Sequence, residues 1–224
     1  MTPRRIIDEA IKKGLDIIAI SDHNTAENVS TAIRIAQNRG IKVLPAIEIT
    51  SLEEVHILAV FDSLESVLKM QDIIYDNLPF GKNDERLLGY QLVVNEQDEI
   101  ISFNKRLLFS ATMLDLKSLT NIIHSLNGVA IASHIDKEIF SIISQLGFLP
   151  ENIRFDGLEI SCNISKKKAE EMFAMYSGIP WITSSDAHHL VDIGKRSISF
   201  FLKEPSFDEI KRAFKGERII EWQE

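Results

Sequence analysis

The sequence predicts a parallel α/β fold on three observations. Short apolar runs of strand length alternate with amphipathic helical stretches, ionisable residues recur where most of those runs end, and 224 residues with 45% apolar and 26% charged side chains suffice for one layered core. This alternation suits a β/α barrel or an open doubly wound sheet. The barrel is favoured, because an open sheet gathers its ligand residues at one crevice, whereas here polar residues follow most of the strands. No repeat, linker or shift in composition divides the chain, so residues 1–224 are expected to form a single domain.

The elements follow in order. Thr2 and Pro3 signal a helix start, Ile6, Ile7, Ala10 and Ile11 make one apolar stripe, and Gly14 stops it. An almost wholly apolar run over 15–20 reads as a parallel strand buried on both faces and ends at Ser21-Asp22-His23-Asn24. A helix over 26–39 closes at Gly40. A second strand over 41–49 contains Pro45 as an interruption and carries Glu48, and a third over 55–61 has His56 near its start. After a helix over 64–78, two strand-like runs flank the polar turn Asn95-Glu96-Gln97-Asp98, which predicts an inserted β-hairpin around 90–103. A helix over 116–126 leads to a strand over 129–133 that terminates at His134. A helix over 137–146, a strand over 155–161 and a helix over 166–176 follow. The strand over 180–184 runs into Ser185-Asp186-Ala187-His188, and a strand over 197–202 and a helix over 207–215 complete the pattern.

Charge and cysteine content narrow the function classes. With 25 basic and 33 acidic side chains the net charge is -8, which argues against stable nucleic-acid binding and against attraction to anionic membrane. The single cysteine, Cys162, permits no intrachain disulfide and fits a reducing compartment, with the cytoplasm as the expected location. No apolar run approaches the roughly 18 residues of a membrane span, and residues 1–13 lack the apolar stretch of a signal peptide.

The ten glycines form no G-x-G pair, and there is no P-loop, G-x-S-x-G, H-E-x-x-H or C-x-x-C. What remains is His23, Glu48, His56, His134, Asp186 and His188, drawn from five strand regions and mostly from strand ends. One histidine at a strand end is usually a satisfied structural residue; six such groups together need a shared explanation. Burying carboxylates and imidazoles side by side costs several kcal/mol unless a cation neutralises and orients them, and a divalent metal takes these ligand types. Lys195 and Arg196 read as solvated surface, His124 and His189 as structural or exposed. Asp22 either orients a ligand imidazole or caps the helix that follows.

These residues, in their order and at their strand ends, resemble the PHP family, named for polymerase and histidinol phosphatase. The resemblance is carried by Leu15-Asp16-Ile17-Ile18-Ala19-Ile20-Ser21-Asp22-His23-Asn24, Pro45-Ala46-Ile47-Glu48, Val55-His56-Ile57-Leu58, Ala132-Ser133-His134-Ile135-Asp136 and Ser185-Asp186-Ala187-His188. It implies a distorted (β/α)7 barrel and a cluster of up to three divalent ions, zinc, manganese or iron, that hydrolyses phosphoesters. It further implies that Glu48 bridges two ions, that His56 and His134 join it at one of them, that Asp186 serves another, and that His23 and His188 serve a third. Family members open on a strand bearing His-x-His that has no counterpart before the first helix here, so fewer than three ions are expected and activity could be impaired. The implied substrate is a small phosphorylated metabolite, a nucleotide or an oligonucleotide end; the alternative is a catalytically impaired protein that binds metal or phosphate. A missing strand would leave unpaired backbone on its neighbours, which favours a homo-oligomer.

Overall fold

With Thr2 in front and Pro3 in the first turn, α1 spans Pro3–Lys12 and buries Ile7 and Ala10; Gly14, at φ +71°, supplies the left-handed residue that ends it. A computed structural model describes residues 1–223. The remaining elements are β1 (Ile17–Ile20), α2 (Val29–Ala36), β2 (Lys42–Thr50), β3 (His56–Val60), α3 (Leu64–Asp76), α4 (Glu85–Leu88), β4 (Gln91–Val94) and β5 (Ile100–Asn104). They continue as α5 (Leu116–Ser125), β6 (Val129–Ala132), α6 (Ile142–Leu146), β7 (Gly157–Ile160), α7 (Lys166–Phe173), β8 (Trp181–Thr183), β9 (Ser197–Phe200), α8 (Phe207–Phe214) and β10 (Ile220–Gln223).

Six strands form one sheet in the order β1-β2-β3-β6-β7-β8. The pairs β1–β2, β6–β7 and β7–β8 are parallel, as the apolar runs predict, but β1 is not buried on both faces, since it lies at the sheet edge with Ala19 exposed, and β3 is antiparallel to both β2 and β6. The reason lies in the connection: residues 51–55 suffice for a hairpin, whereas a parallel return needs a crossover of roughly a dozen residues. Pro45 does not interrupt β2. It sits at the end of the register with β1, and pairing with β3 takes over at Ala46.

The result is a mixed α/β fold whose sheet curls into a half-barrel. Side-chain alternation sends Ile47 and Ile49 of β2 to the convex face, where they join Ile57, Ala130, Leu158 and Ile160 under α3, α5 and α7. Leu44 and Ala46 go to the concave face with Val60, Val129, Ile131 and Ile182, against Phe207, Ile210 and Phe214 of α8. Burying each such side chain is worth about 1.5–3 kcal/mol. Gly157 makes room for this helix, since a Cβ there would lie 2.6 Å from the Phe214 ring. A third cluster packs α1 and α2 on β1 through Ile7, Ile20, Ala32 and Ile35.

The expected hairpin is β4–β5, antiparallel and docked on α2: the Asn28 amide donates to the Leu92 carbonyl at 3.0 Å and accepts from the Val94 N–H at 3.1 Å. The helix expected over 137–146 forms only as α6. Asp136 is drawn away to accept from the Ser161 N–H and hydroxyl, Phe140 has φ +56°, and Ser141 supplies the N-cap. Strands β9 and β10 make a separate antiparallel pair. Among the described residues no helix is long and apolar enough to cross a membrane.

Candidate metal centre

Continuing β2 past Leu44 and Ala46, the same alternation places Glu48 on the concave face, beyond the cluster that α8 covers. His23 reaches it through an isolated bridge that prolongs the β1–β2 register, with the Asn24 N–H donating to the Glu48 carbonyl at 2.8 Å and the Glu48 N–H to the Asp22 carbonyl at 3.2 Å. Asn24, fully buried at φ +52°, secures that turn: its amide donates to the carbonyls of Leu108 and Ser110 and accepts from the Thr50 N–H. His56 pairs with Thr50, one side-chain repeat along from Glu48, and so shares its face. Phe140 holds the imidazole, accepting from the His56 N–H at 2.9 Å and stacking on the ring at 4.6 Å and 3°. His134 follows Ser133, whose N–H bonds His56; its positive φ, 30°, breaks the strand alternation.

Three edges meet at one carboxylate. Glu48 Oε1 lies 3.6 Å from His56 Nδ1 and 3.7 Å from His134 Nε2, and those two nitrogens are 3.3 Å apart. Glu48 Oε2 lies 3.3 Å from His23 Nδ1. Contacts of 3.6–3.7 Å are too long for good hydrogen bonds, yet they match the edge of a tetrahedron drawn with metal–ligand bonds of about 2.0–2.1 Å, which is roughly 3.4 Å. Ligand atoms of His23, Glu48 and His56 also fall within 4.8 Å of one another. The donor set, two or three imidazoles and a carboxylate, is one that zinc or another first-row divalent ion takes.

Burial dominates the charge state of these groups. Burial pushes the Glu48 carboxyl up to about 8, aided by the charges of Asp186 and Glu159. Burial likewise lowers His56 to about 3, with His23 and His134 contributing, and His134 to about 4, with Lys137 contributing. His23 is lowered by burial and by His188. The histidines are therefore neutral, the form in which imidazole ligates.

A second set of groups borders the first. Asp186, at φ +42°, forms an ion pair with Lys137. Burial would raise its carboxyl, but the hydrogen bond and charge of Lys137 carry it below the ordinary aspartate range. His188 is largely exposed, with Nδ1 3.8 Å from Asp186 Oδ1 and its ring 6.3 Å from that of His23. Glu159, in β7, is buried; it accepts from the His134 N–H at 3.1 Å and from the Ser184 hydroxyl. An open cavity of about 1760 Å³ runs from this cluster along the gap between β1 and β8 and includes Arg196 in its wall.

The family model described as PHP domain matches residues 1–146, about two thirds of the sequence. The chain belongs to the PHP domain family. A second model, PHP-associated, matches residues 164–219. Among curated proteins no sequence matches this PHP chain. Solved structures do. Endonuclease Q from Pyrococcus furiosus, a lesion-specific endonuclease, aligns at a TM-score of 0.73 with 19% identity over 98% of this chain and 53% of that one. A two-domain protein from Bacteroides vulgatus containing a predicted PHP-like metal-dependent phosphoesterase aligns at 0.60 with 17% identity, over 99% and 59%. An amidohydrolase from Chromobacterium violaceum aligns at 0.56 with 15% identity, over 98% and 92%. At these identities the likeness concerns the fold, and this PHP chain spans about half the length of endonuclease Q.

Of the six residues singled out in the sequence, His23, Glu48, His56 and His134 come together at one carboxylate. Asp186 sits beside them on Lys137, and His188 stands at the exposed rim. Asp22 does not cap the helix, which starts at Val29 behind Asn28. Lys195 pairs with Asp192 on the surface, and His124 bonds Asp156 at 2.8 Å, lining a small separate pocket with Arg154 and Lys211. Sequence reasoning missed Glu159, Lys137 and Phe140. Glu159 carried a usable signal, an acid inside an apolar strand like Glu48. The other two lie on a loop read as helix.

Proposed function

We propose that this PHP chain is a divalent-metal-dependent phosphoesterase whose main metal centre is Glu48, His56 and His134. The convergence of Glu48 Oε1, His56 Nδ1 and His134 Nε2 at 3.3–3.7 Å in a buried pocket carries the reading. The second oxygen of Glu48 faces His23, which would stand beside that centre, with Asp186 and His188 at its rim. When bound, divalent ions supply an acidified water and polarise the phosphoryl oxygens. The chain's own part is to orient and to exclude water: Phe140 fixes the His56 ring, Glu159 fixes the His134 backbone, and the apolar strands keep solvent from the carboxylate. No side-chain nucleophile is needed. The cavity has room for a small phosphorylated metabolite, a nucleotide or an oligonucleotide end; the last class gains support from the fold it shares with endonuclease Q, which is known with a duplex substrate.

Two coarser readings go with this. The whole chain is taken as one domain of distorted (β/α)7 type, supported by β7 and β8 pairing in the same sheet as β1, β2, β3 and β6 and by α8 filling its concave side. The unpaired Cys162 is in keeping with the reducing cytoplasm.

Hydrolysis of p-nitrophenyl phosphate and its diester, with and without added manganese or zinc, tests the function. Activity is expected to require the ion and to fall about 100-fold or more in Glu48→Gln. Metal-independent turnover, or an unaffected variant, contradicts the reading. The hold of Lys137 on Asp186 favours the alternative of an impaired metal- or phosphate-binding protein, which gains support if metal binds and no phosphoester is turned over.

A further inference from the structure

Lys137 stands where the sequence gives no reason to expect a cation. Its backbone is fixed on both sides: the N–H donates to the His134 carbonyl at 2.9 Å and the carbonyl accepts from the Ser141 hydroxyl at 2.7 Å. The neighbouring Asp136 is tied to Ser161 by two hydrogen bonds, at 2.7 and 2.6 Å, so the loop is anchored to β7 as well. From this base the side chain, 30% exposed, turns inward and its ammonium bonds Asp186 Oδ2. Its charge acts on every ionisable group of the cluster, from His23, Glu48 and His56 to His134, Glu159 and Asp186.

We infer that Lys137 is a built-in cation that takes the place of a second divalent ion at Asp186, so that this chain holds one ion, on Glu48, His56 and His134, beside a fixed ammonium. Three observations support it. Glu48, Glu159 and Asp186 act on one another through their charges, and Lys137 is bonded to Asp186 among them. An ammonium on Asp186 supplies the positive charge that carboxylate needs and repels a divalent ion from the same oxygens. And the remaining partner, His188, is largely exposed and lies 3.8 Å from Asp186, too little to hold an ion without that carboxylate. Lys137 is thus a positioning residue that sets the metal count. The inference rests on the reading of Glu48, His56 and His134 as the metal centre.

Equilibrium dialysis of the full chain against manganese alone, followed by metal analysis, tests it. Wild type is expected to hold one ion per chain, Lys137→Arg to hold one, and Lys137→Gln to hold two. Adding Asp186→Asn to Lys137→Gln should return the count to one. Asp186→Asn alone should keep the ion, an arm that does not depend on the lysine variants folding. Two ions in wild type, one in a folded Lys137→Gln, or loss of the ion in Asp186→Asn overturns the inference and leaves the Glu48 centre standing. No ion in wild type overturns both.

Discussion

A carboxyl enclosed by apolar strands is stable either with its proton or beside a cation, and Glu48 has the proton when no ion is present. Folded, it keeps that proton up to about pH 8; unfolded, it loses it near its ordinary 4.5, so its contribution to stability is lost as pH rises between those values. His56 and His134 have the opposite sign. Their folded values, about 3 and 4, lie below the ordinary 6.5, so their contribution is present above about pH 6.5 and is lost as pH falls. Two imidazoles outweigh one carboxyl on the acid side. The melting temperature of EDTA-treated protein should therefore peak near pH 6.5 and decline towards pH 8, and Glu48→Gln should remove the alkaline decline; a steady climb from pH 6.5 to 8 in wild type contradicts this. Phe140 offers a second test. Its stack on His56 is worth about 0.5–1.5 kcal/mol, so Phe140→Ala should weaken zinc binding by about 2- to 10-fold in competition with a chromophoric chelator, and unchanged affinity would count against a fixed imidazole. Glu48 and His56 were legible in the sequence because polar residues inside apolar strands are costly without a partner. Phe140 was not, because its role comes from a loop turning back across the sheet.

At the level of elements, the sequence told strand from helix well and told direction poorly. The periodicity of the α1, α3 and α5 stretches and the apolar runs of β1, β2 and β6 reappear within a few residues of their expected bounds. That β3 runs against its neighbours depends on a short connection, which periodicity does not report. The expected helix over 137–146 forms only from Ile142 onward for a local reason, the capture of Asp136 by Ser161 and the positive φ of Phe140, which leaves Lys137 on a loop. The turn joining β1 to α2 is the element on which the site geometry leans hardest. Asn24 bonds three backbone groups there, the Leu108 carbonyl and the Thr50 N–H in buried hydrogen bonds and the Ser110 carbonyl in a part-buried one. Asn24→Ala would leave them unpaired at about 1–3 kcal/mol each, partly relieved by relaxation, so a loss of about 2–4 kcal/mol is expected in urea denaturation. A change below about 0.5 kcal/mol would show that the turn is held by other means.

For the whole molecule, the half-barrel explains why residues far apart in the sequence reach one place. Alternation sends Glu48 inward near the end of β2 and His56 at the start of β3, an isolated bridge beyond β1 brings in His23, the positive φ of His134 turns it in after β6, and α8 fills the rest of the concave side. The match to the PHP domain through residue 146 takes in β1, β2, β3 and β6 of this sheet, and the PHP-associated match over 164–219 takes in β8 and α8. Chain order and strand ends made the family legible; the curl of the sheet, which sets the distances, was not. Those distances make the central claim measurable by X-ray absorption at the zinc edge of the zinc-loaded chain. The account predicts a first shell of nitrogen and oxygen at about 2.0–2.1 Å, with outer-shell scattering from two imidazoles that disappears, with the zinc, when Glu48, His56 and His134 are all replaced by alanine. A sulfur shell at about 2.3 Å from Cys162, or zinc retained in full by that triple variant, would contradict it.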